Sequence, residues 1–281
     1  MTISSPKKLL AFLKSLNAFP KKQLSQNFLI DNNIIKKILQ ESNVNSKDVV
    51  LEIGPGPGAL TEALVESGAK ILTVEKDEAF AKALPRLQKE ENKLKTYCHD
   101  IMTFPIEEKL KENLSGKQKA KVIANLPYQI SAPILTRLVA MNDFFSSIHV
   151  MVQEEVARRI TASPKSSGYN SLTVFLNFHS KTSYAFGVNR SCFYPQPKVD
   201  SAIISLQLTP PPRISSKEHF FKMIRTAFGQ RRKMLRSSLK KFFPPQTIIQ
   251  ALESIKSLPT ARPEELSLEK FIHFFEFCMK R

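Results

Sequence analysis

Gly54-Pro55-Gly56-Pro57-Gly58 separates an apolar run at 49–53 from a helical pattern that begins at Ala59. A glycine loop between a strand and a helix lets backbone approach a ligand at the helix N-terminus. Gly54, Gly56 and Ala59 formally satisfy the G-x-G-x-x-A dinucleotide pattern, and Glu75 follows at about the distance suited to ribose hydroxyls. Pro55 and Pro57 carry no N–H, however, so this loop offers a pyrophosphate fewer donors than the dinucleotide version does. A nucleoside ligand without phosphates suits it better; a tight turn with no ligand is the plain alternative.

Other polar residues close apolar runs in the same manner. Glu75 ends ILTVE, Asp100 follows LKTYCH, and Asn125 ends KVIAN before Leu126-Pro127-Tyr128. Glu75 has the chemistry to take two ribose hydroxyls, or to serve as an acid in the first turn of the next helix. Asp100 suits an adenine exocyclic amine, or a turn. The elements that must position them alternate. Strands are expected at 49–53, 71–74, 94–98, 121–124 and 149–152, with helices at 34–42, 59–67, 77–90, 131–140 and from 154. Such alternation predicts an α/β fold with a parallel sheet covered by helices on both faces, whose ligands bind beyond the strands' carboxyl ends. Residues 202–208 alternate apolar and polar in the antiparallel manner, and Pro210-Pro211-Pro212 then breaks the chain.

The 281 residues carry 42 Lys and Arg against 25 Asp and Glu, a net +17, which points to a polyanionic partner. Residues 209–281 hold 15 of those cations and 6 of the acids, net +9. There an apolar stripe (Phe220, Phe221, Ile224, Phe228, Leu235, Leu239, Phe242) opposes Arg225, Arg231, Arg232, Lys233, Arg236, Lys240 and Lys241. A basic helix contacting RNA phosphates is expected, with a solvated face as the alternative. Three scattered cysteines support neither disulfides nor zinc, and no metal is expected. No apolar run approaches the ~20 residues of a membrane span, so no membrane partner is expected. Leu9, Phe12, Leu13 and Leu16 predict a short amphipathic helix within a helical segment 1–24. The lysine-rich, acid-free start also has the character of an organellar transit peptide, but a cytoplasmic protein is the expectation. A monomer is the default.

Taken in order, SQNFLID (25–31), VLEIGPGPGALT (50–61), VEKD (74–77), HD (99–100), IANLPYQIS (123–131) and CFYPQPKVDSAI (192–203) resemble the ribosomal RNA adenine-N6,N6-dimethyltransferase family, in particular its small-subunit branch. FGQRRKMLRSSL (228–239) and ARPEELSLEKF (261–271) carry the resemblance from about residue 20 to the C-terminus. It implies a Rossmann-like class I methyltransferase domain with a mostly parallel sheet over 1–208, and a small all-α, basic RNA-binding domain over 209–281. It implies S-adenosyl-L-methionine as cofactor, with Asn27 and Leu29 touching it. Gly54 and Gly56 would line its amino-acid end, Glu75 its ribose, Asp100 its adenine, and Asn125 would lie between cofactor and target base. The implied substrate is small-subunit rRNA in the immature small ribosomal subunit, where N6 of two adjacent adenosines near the 3′ end of the 16S rRNA would be dimethylated. Ser25 stands where the family usually has Gly, and Met234 and Ser237 where Thr and Asn are common.

An adenine N6 amine is a poor nucleophile because its lone pair is delocalised into the ring. On this reading Asn125 Oδ1 and the Leu126 carbonyl accept its hydrogens, and positioning contributes more than a general base. Pro127 fixes φ, Tyr128 offers a stacking ring for a flipped base, and Phe193 would close the base's other face by family resemblance. The alternatives are a non-catalytic RNA or ribosome-assembly factor on the same fold, and a glutamine-amide methyltransferase. The charge disfavours the latter.

Overall fold

A computed structural model describes residues 3, 5–21, 24, 26–91, 93–230 and 232–280. Ser25 and Arg231 therefore lie outside the described residues. The chain divides into two compact units, Met1–Ala157 with Thr182–Thr209, and Arg158–Lys181 with Pro210–Arg281.

In chain order, the first unit opens with α1 (Pro6–Ser15), the two-residue β1 (Phe28–Leu29) and α2 (Asn32–Ser42). Strands and helices then alternate as β2 (Val49–Ile53), α3 (Ala59–Glu66), β3 (Lys70–Glu75), α4 (Glu78–Ala83) and β4 (Leu94–Cys98). The series continues with α5 (Ile106–Lys111), β5 (Ala120–Asn125), α6 (Ser131–Val139), β6 (Phe145–Gln153) and α7 (Glu154–Ile160). After α8 (Ser171–His179) come β7 (Ser180–Val188), β8 (Phe193–Tyr194) and β9 (Ser201–Leu208). The seven-stranded sheet has the order β4-β3-β2-β5-β6-β9-β7. Its β4-β3-β2-β5-β6 portion is parallel and β6 pairs with β9 antiparallel, the mixed pattern expected from the apolar runs and the alternating 202–208 stretch.

All five residues of β2 are buried, as a parallel strand covered on both faces requires. Leu9 and Leu13 of α1 pack with Phe28 and Phe80 beside the sheet, so the N-terminal amphipathic helix buries its apolar face within the unit. The helix expected over 77–90 is shorter. Pro85 has no N–H to continue the ladder, and α4 gives way to a 3-10 turn at Leu84–Leu87.

The second unit contains α8, then α9 (Lys217–Gly229), α10 (Leu235–Ser238), α11 (Pro245–Ser254) and α12 (Leu268–Met279). The expectation of an uninterrupted first domain over 1–208 is corrected here. Val174 and Phe178 of α8 are buried in one cluster with Phe220, Phe271 and Phe275, so this helix belongs to the helical unit. The 228–241 stretch is also not one basic helix: α9 stops at Gly229, and α10 spans four residues. No helix among the described residues is long and apolar enough to cross a membrane. Their His, Cys, Asp and Glu side chains form no group of three that could hold a metal ion.

Gly58 is the hinge between loop and α3. Its φ is +93°, and a Cβ there would lie 2.7 Å from Leu87 Cδ1 and 3.0 Å from Leu84 Cδ2. Gly58→Ala is expected to lower the unfolding free energy by about 1–3 kcal/mol through left-handed strain and crowding. Denaturant titration of wild type and variant measures that difference.

Candidate active site

A cavity of about 280 Å³ opens at the carboxyl ends of β2, β3 and β5, where parallel sheets place their ligands. Its wall includes Asn27, Leu29, Gly54, Gly56, Glu75, Asp100, Asn125, Leu126, Pro127 and Tyr128, so every cofactor residue expected from the sequence is brought to one place.

Gly54 and Gly56 both have positive φ, at +64° and +54°. A Cβ on Gly56 would sit 3.0 Å from the Phe28 ring, which explains why only glycine fits beneath that ring. Gly56 N–H donates to Glu75 Oε2 at 2.9 Å, and Asp77 N–H to Glu75 Oε1 at 2.8 Å. The Glu75 side chain is thus not free, as the sequence suggested, but gripped by two backbone donors. Each oxygen keeps a lone pair for a further donor. Burial pushes its carboxyl pKa up, and the two backbone N–H groups oppose that shift. Asp77 in turn caps α4 through Ala79 N–H, accepts from Gln26 Nε2 at 3.1 Å and pairs with Lys21 Nζ at 2.9 Å. This ties the segment carrying Asn27 and Leu29 to the end of β3. The motifs QNFL and VEKD both hinted at function, but their mutual contact was not legible.

Asp100 accepts from Met102 N–H at 2.8 Å and pairs with Lys76 Nζ at 2.9 Å. The lysine hydrogen bond is the main cause that holds its carboxyl pKa below the ordinary range.

Asn125 is the most informative residue. Its Nδ2 donates to the Asn27 carbonyl at 3.1 Å, which sets the orientation of the amide, while its Oδ1 is buried with no hydrogen-bond partner. Leu126 N–H is held by the Met151 carbonyl at 3.1 Å. Pro127 has φ −61° and leads into the 3-10 turn Tyr128–Ile130. The Tyr128 hydroxyl meets Ser201 Oγ at 2.7 Å, and burial pushes its pKa up. Ser201 was not singled out in the sequence, because its partnership depends on β9 lying beside β6.

Phe193 does not take the position expected of it. It is 3% exposed, pairs with Leu29 in the β1–β8 ribbon, and packs in the core with Ile35 and Ile203. In this structure it offers the cavity no face. Glu52, by contrast, was missed. It lies in β2, lines the cavity, is 1% exposed, and its Oε2 has no hydrogen-bond partner. The available signal was an acid inside the otherwise apolar VVLEI.

In the second unit Arg225, Arg232, Lys233, Arg236, Lys240 and Lys241 are exposed. Arg232, Lys233, Lys240 and Lys241 line one cleft, joined by Arg262 from a distant loop. Arg225 and Arg236 lie outside its lining. None of these cations makes an ion pair among the described residues.

The comparisons with known proteins agree with this geometry. The family model described as ribosomal RNA adenine dimethylase matches residues 18–280. The ribosomal RNA small subunit methyltransferase A of Protochlamydia amoebophila (strain UWE25) is 55% identical over 275 residues, covering 98% of this chain and 97% of the relative. The protein of the same name from Chlamydia muridarum (strain MoPn / Nigg) is 42% identical, with 98% of each chain covered. Among solved structures, a dimethyladenosine transferase from Plasmodium falciparum superposes with a TM-score of 0.74 at 26% identity, covering 88% of this chain and 95% of that one. The 23S rRNA methyltransferase ErmE shares the fold, with a TM-score of 0.71 at 23% identity, 90% of this chain and 100% of that one. With a family model matched along nearly its whole length and relatives of this identity and coverage, the chain belongs to the ribosomal RNA adenine dimethylase family.

Proposed function

We propose that this protein transfers methyl groups from S-adenosyl-L-methionine to N6 of two adjacent adenosines near the 3′ end of small-subunit rRNA, giving N6,N6-dimethyladenosines during small-subunit assembly. It does so in the cytoplasm and as a monomer. The observation that carries the reading is the Asn125 amide, fixed through Nδ2 and left with a buried, unpartnered Oδ1 on the cavity wall. A buried acceptor without a donor is costly, and an amine N–H entering the cavity would satisfy it. The names of the relatives, ribosomal RNA small subunit methyltransferase A and dimethyladenosine transferase, support the substrate and the product.

The residues present fit the cofactor. Glu75 keeps acceptor capacity for ribose hydroxyls, Asp100 is an acceptor suited to the adenine amine, and Asn27 and Leu29 border the same space. Gly54 and Gly56 border the same space with backbone alone. When bound, the cofactor supplies an electrophilic methyl group. The chain's own part is to present the nucleophile. Asn125 Oδ1 and the Leu126 carbonyl accept the N6 hydrogens and draw the nitrogen toward tetrahedral geometry. After one methylation a single N–H remains, and Oδ1 can still accept it. Pro127 holds the backbone between these acceptors, and Tyr128, its hydroxyl tethered by Ser201, offers its ring to the flipped base. Phe193 is not assigned the second face, because it is core in this structure. The exposed cations of the second unit hold RNA phosphates without reading sequence, and the same charge argues against a small amide substrate.

Incubation with methyl-labelled cofactor and immature small subunits, followed by RNA digestion, should yield labelled N6,N6-dimethyladenosine. Cofactor binding without any label would favour the assembly-factor alternative. Asn125→Ala is expected to lower turnover by about 100-fold or more while cofactor affinity changes by less than about tenfold. Tyr128→Ala should lose about 1–3 kcal/mol of stacking, about 5- to 150-fold in kcat/KM, whereas Tyr128→Phe should retain most activity. Replacing Arg232, Lys233 and Lys240 with alanine should weaken RNA binding for all sequences alike. It should also flatten the salt dependence by about one slope unit per phosphate contact removed, read from binding isotherms at several ionic strengths.

A further inference from the structure

Arg137, in the last turn of α6, makes no ion pair among the described residues. Its guanidinium spans a loop instead. Nη1 donates to the Ile101 carbonyl, and Nη2 to the Phe104 carbonyl at 2.6 Å. The loop so bracketed follows Asp100 beyond the carboxyl end of β4. Its residues Ile101 and Met102 line the cavity, while Arg137 does not.

One peptide group joins the arginine to the aspartate. The Ile101 carbonyl and the Met102 N–H belong to the same planar trans unit and point in opposite directions. Arg137 holds the oxygen side, and the nitrogen side donates to Asp100 Oδ1 at 2.8 Å. A donor on the carbonyl also polarises the unit and strengthens the bond that its N–H makes. The other arm of the fork holds Phe104, a buried ring in contact with Tyr97 and His99, so the turn is fixed at both ends. Asp100 Oδ2 meets Lys76 Nζ at 2.9 Å, but that lysine is 59% exposed, and an exposed ion pair fixes geometry weakly. The backbone hold that runs through Arg137 is what sets the direction of the carboxylate.

We propose that Arg137 is a positioning residue for adenine recognition: by fixing the Ile101–Met102 peptide it aims Asp100 at the exocyclic amine of the cofactor. The inference rests on the cofactor reading above, and it assigns selectivity for the amine to a side chain outside the cavity.

Binding of S-adenosylhomocysteine and S-inosylhomocysteine to the full chain, measured by calorimetry, reads that selectivity. The inosyl compound carries a carbonyl in place of the exocyclic amine. Wild type should prefer the adenosyl ligand by about 10- to 150-fold, the worth of one hydrogen bond to a charged group. Arg137→Ala should reduce the ratio by about fivefold or more. Equal weakening of both ligands, or an unchanged ratio, overturns the inference and leaves the cofactor reading standing. A wild type that binds both ligands alike, or neither, removes the placement of adenine at Asp100 and the inference with it. In an Asp100→Ala background the same substitution should leave the ratio where it is, because the group through which it acts is gone. A further fall of the ratio in that background overturns the inference.

Arg137→Lys covers the case in which Arg137→Ala does not fold, since an ammonium keeps the charge but cannot span both carbonyls. Ile101-Met102 is the only Ile-Met pair in the sequence. Carbon-labelled isoleucine carbonyls combined with nitrogen-labelled methionine therefore isolate the Met102 amide signal. That signal should move in ligand-free Arg137→Lys, and the ligand ratio should fall. An unmoved signal, or a wild-type ratio, overturns the inference.

Discussion

The grip of the Glu75 carboxylate on the N–H groups of Gly56 and Asp77 is the interaction on which the rest of the site depends. One oxygen holds the glycine loop that follows β2, and the other holds the turn that follows β3. The two strand ends are thereby locked at a single spacing. Asp77, fixed in this way, can cap α4 on one side and receive Lys21 and Gln26 on the other. The N-terminal segment then delivers the Asn27 carbonyl to Asn125 Nδ2, and the amide that faces the cavity acquires its orientation. Each of these hydrogen bonds contributes about 1 kcal/mol on its own. Their effect on geometry is larger, because removing Glu75 would release the loop, the turn and the strap together.

Much of this arrangement was legible because the signals were local. An apolar run that closes on Glu75 or Asn125 marks a strand end, and strand–helix alternation puts those ends on one rim. The antiparallel β9 was visible in the alternation of 202–208. Signals failed where burial is decided by partners far along the chain. Phe193 was expected by resemblance to close the base's other face, but the pairing of β8 with β1, which sets it opposite Leu29 from 164 positions away, turns it inward. The helix α8 reads as part of the first unit until Phe178 is seen among Phe220 and Phe221. Arg262 stands in a segment with two acids and gave no hint that it would share a cleft with Lys233. The basic 228–241 stretch has the periodicity of one helix, but the chain turns after Gly229 and the cations are presented from a turn and a short helix instead.

The two kinds of positive and polar surface act through different physics. Under the proposed function the cavity selects by donors and acceptors at fixed positions, where a displacement of an ångström matters. The cleft of the second unit presents exposed cations, and under the proposed function their attraction for phosphates is long-ranged at low salt and indifferent to base identity. Neither property substitutes for the other. On the proposed reading, a chain with the cavity alone would discriminate adenine but hold RNA poorly, and one with the cleft alone would hold any RNA.

Polar burial elsewhere in the first unit shows what the fold does when no ligand is involved. His149 is buried on β6, and both ring nitrogens find partners, Ser205 Oγ and Ser147 Oγ at 3.0 Å each, with Ser205 passing the network on to Glu41. Burial holds that imidazole's pKa down at about 4, so it is neutral and fully used. Asn113 Oδ1, outside the cavity, lacks such a partner, and on the cavity wall two acceptors without partners stand together. Glu52 Oε2 and Asn125 Oδ1 are buried atoms without hydrogen-bond partners. An unsatisfied buried acceptor weakens the folded state, and two of them on one wall weaken it at the same place. A donor entering the cavity would remove that deficit, which makes the unpartnered oxygens a guide to ligand chemistry that the glycine loop does not supply.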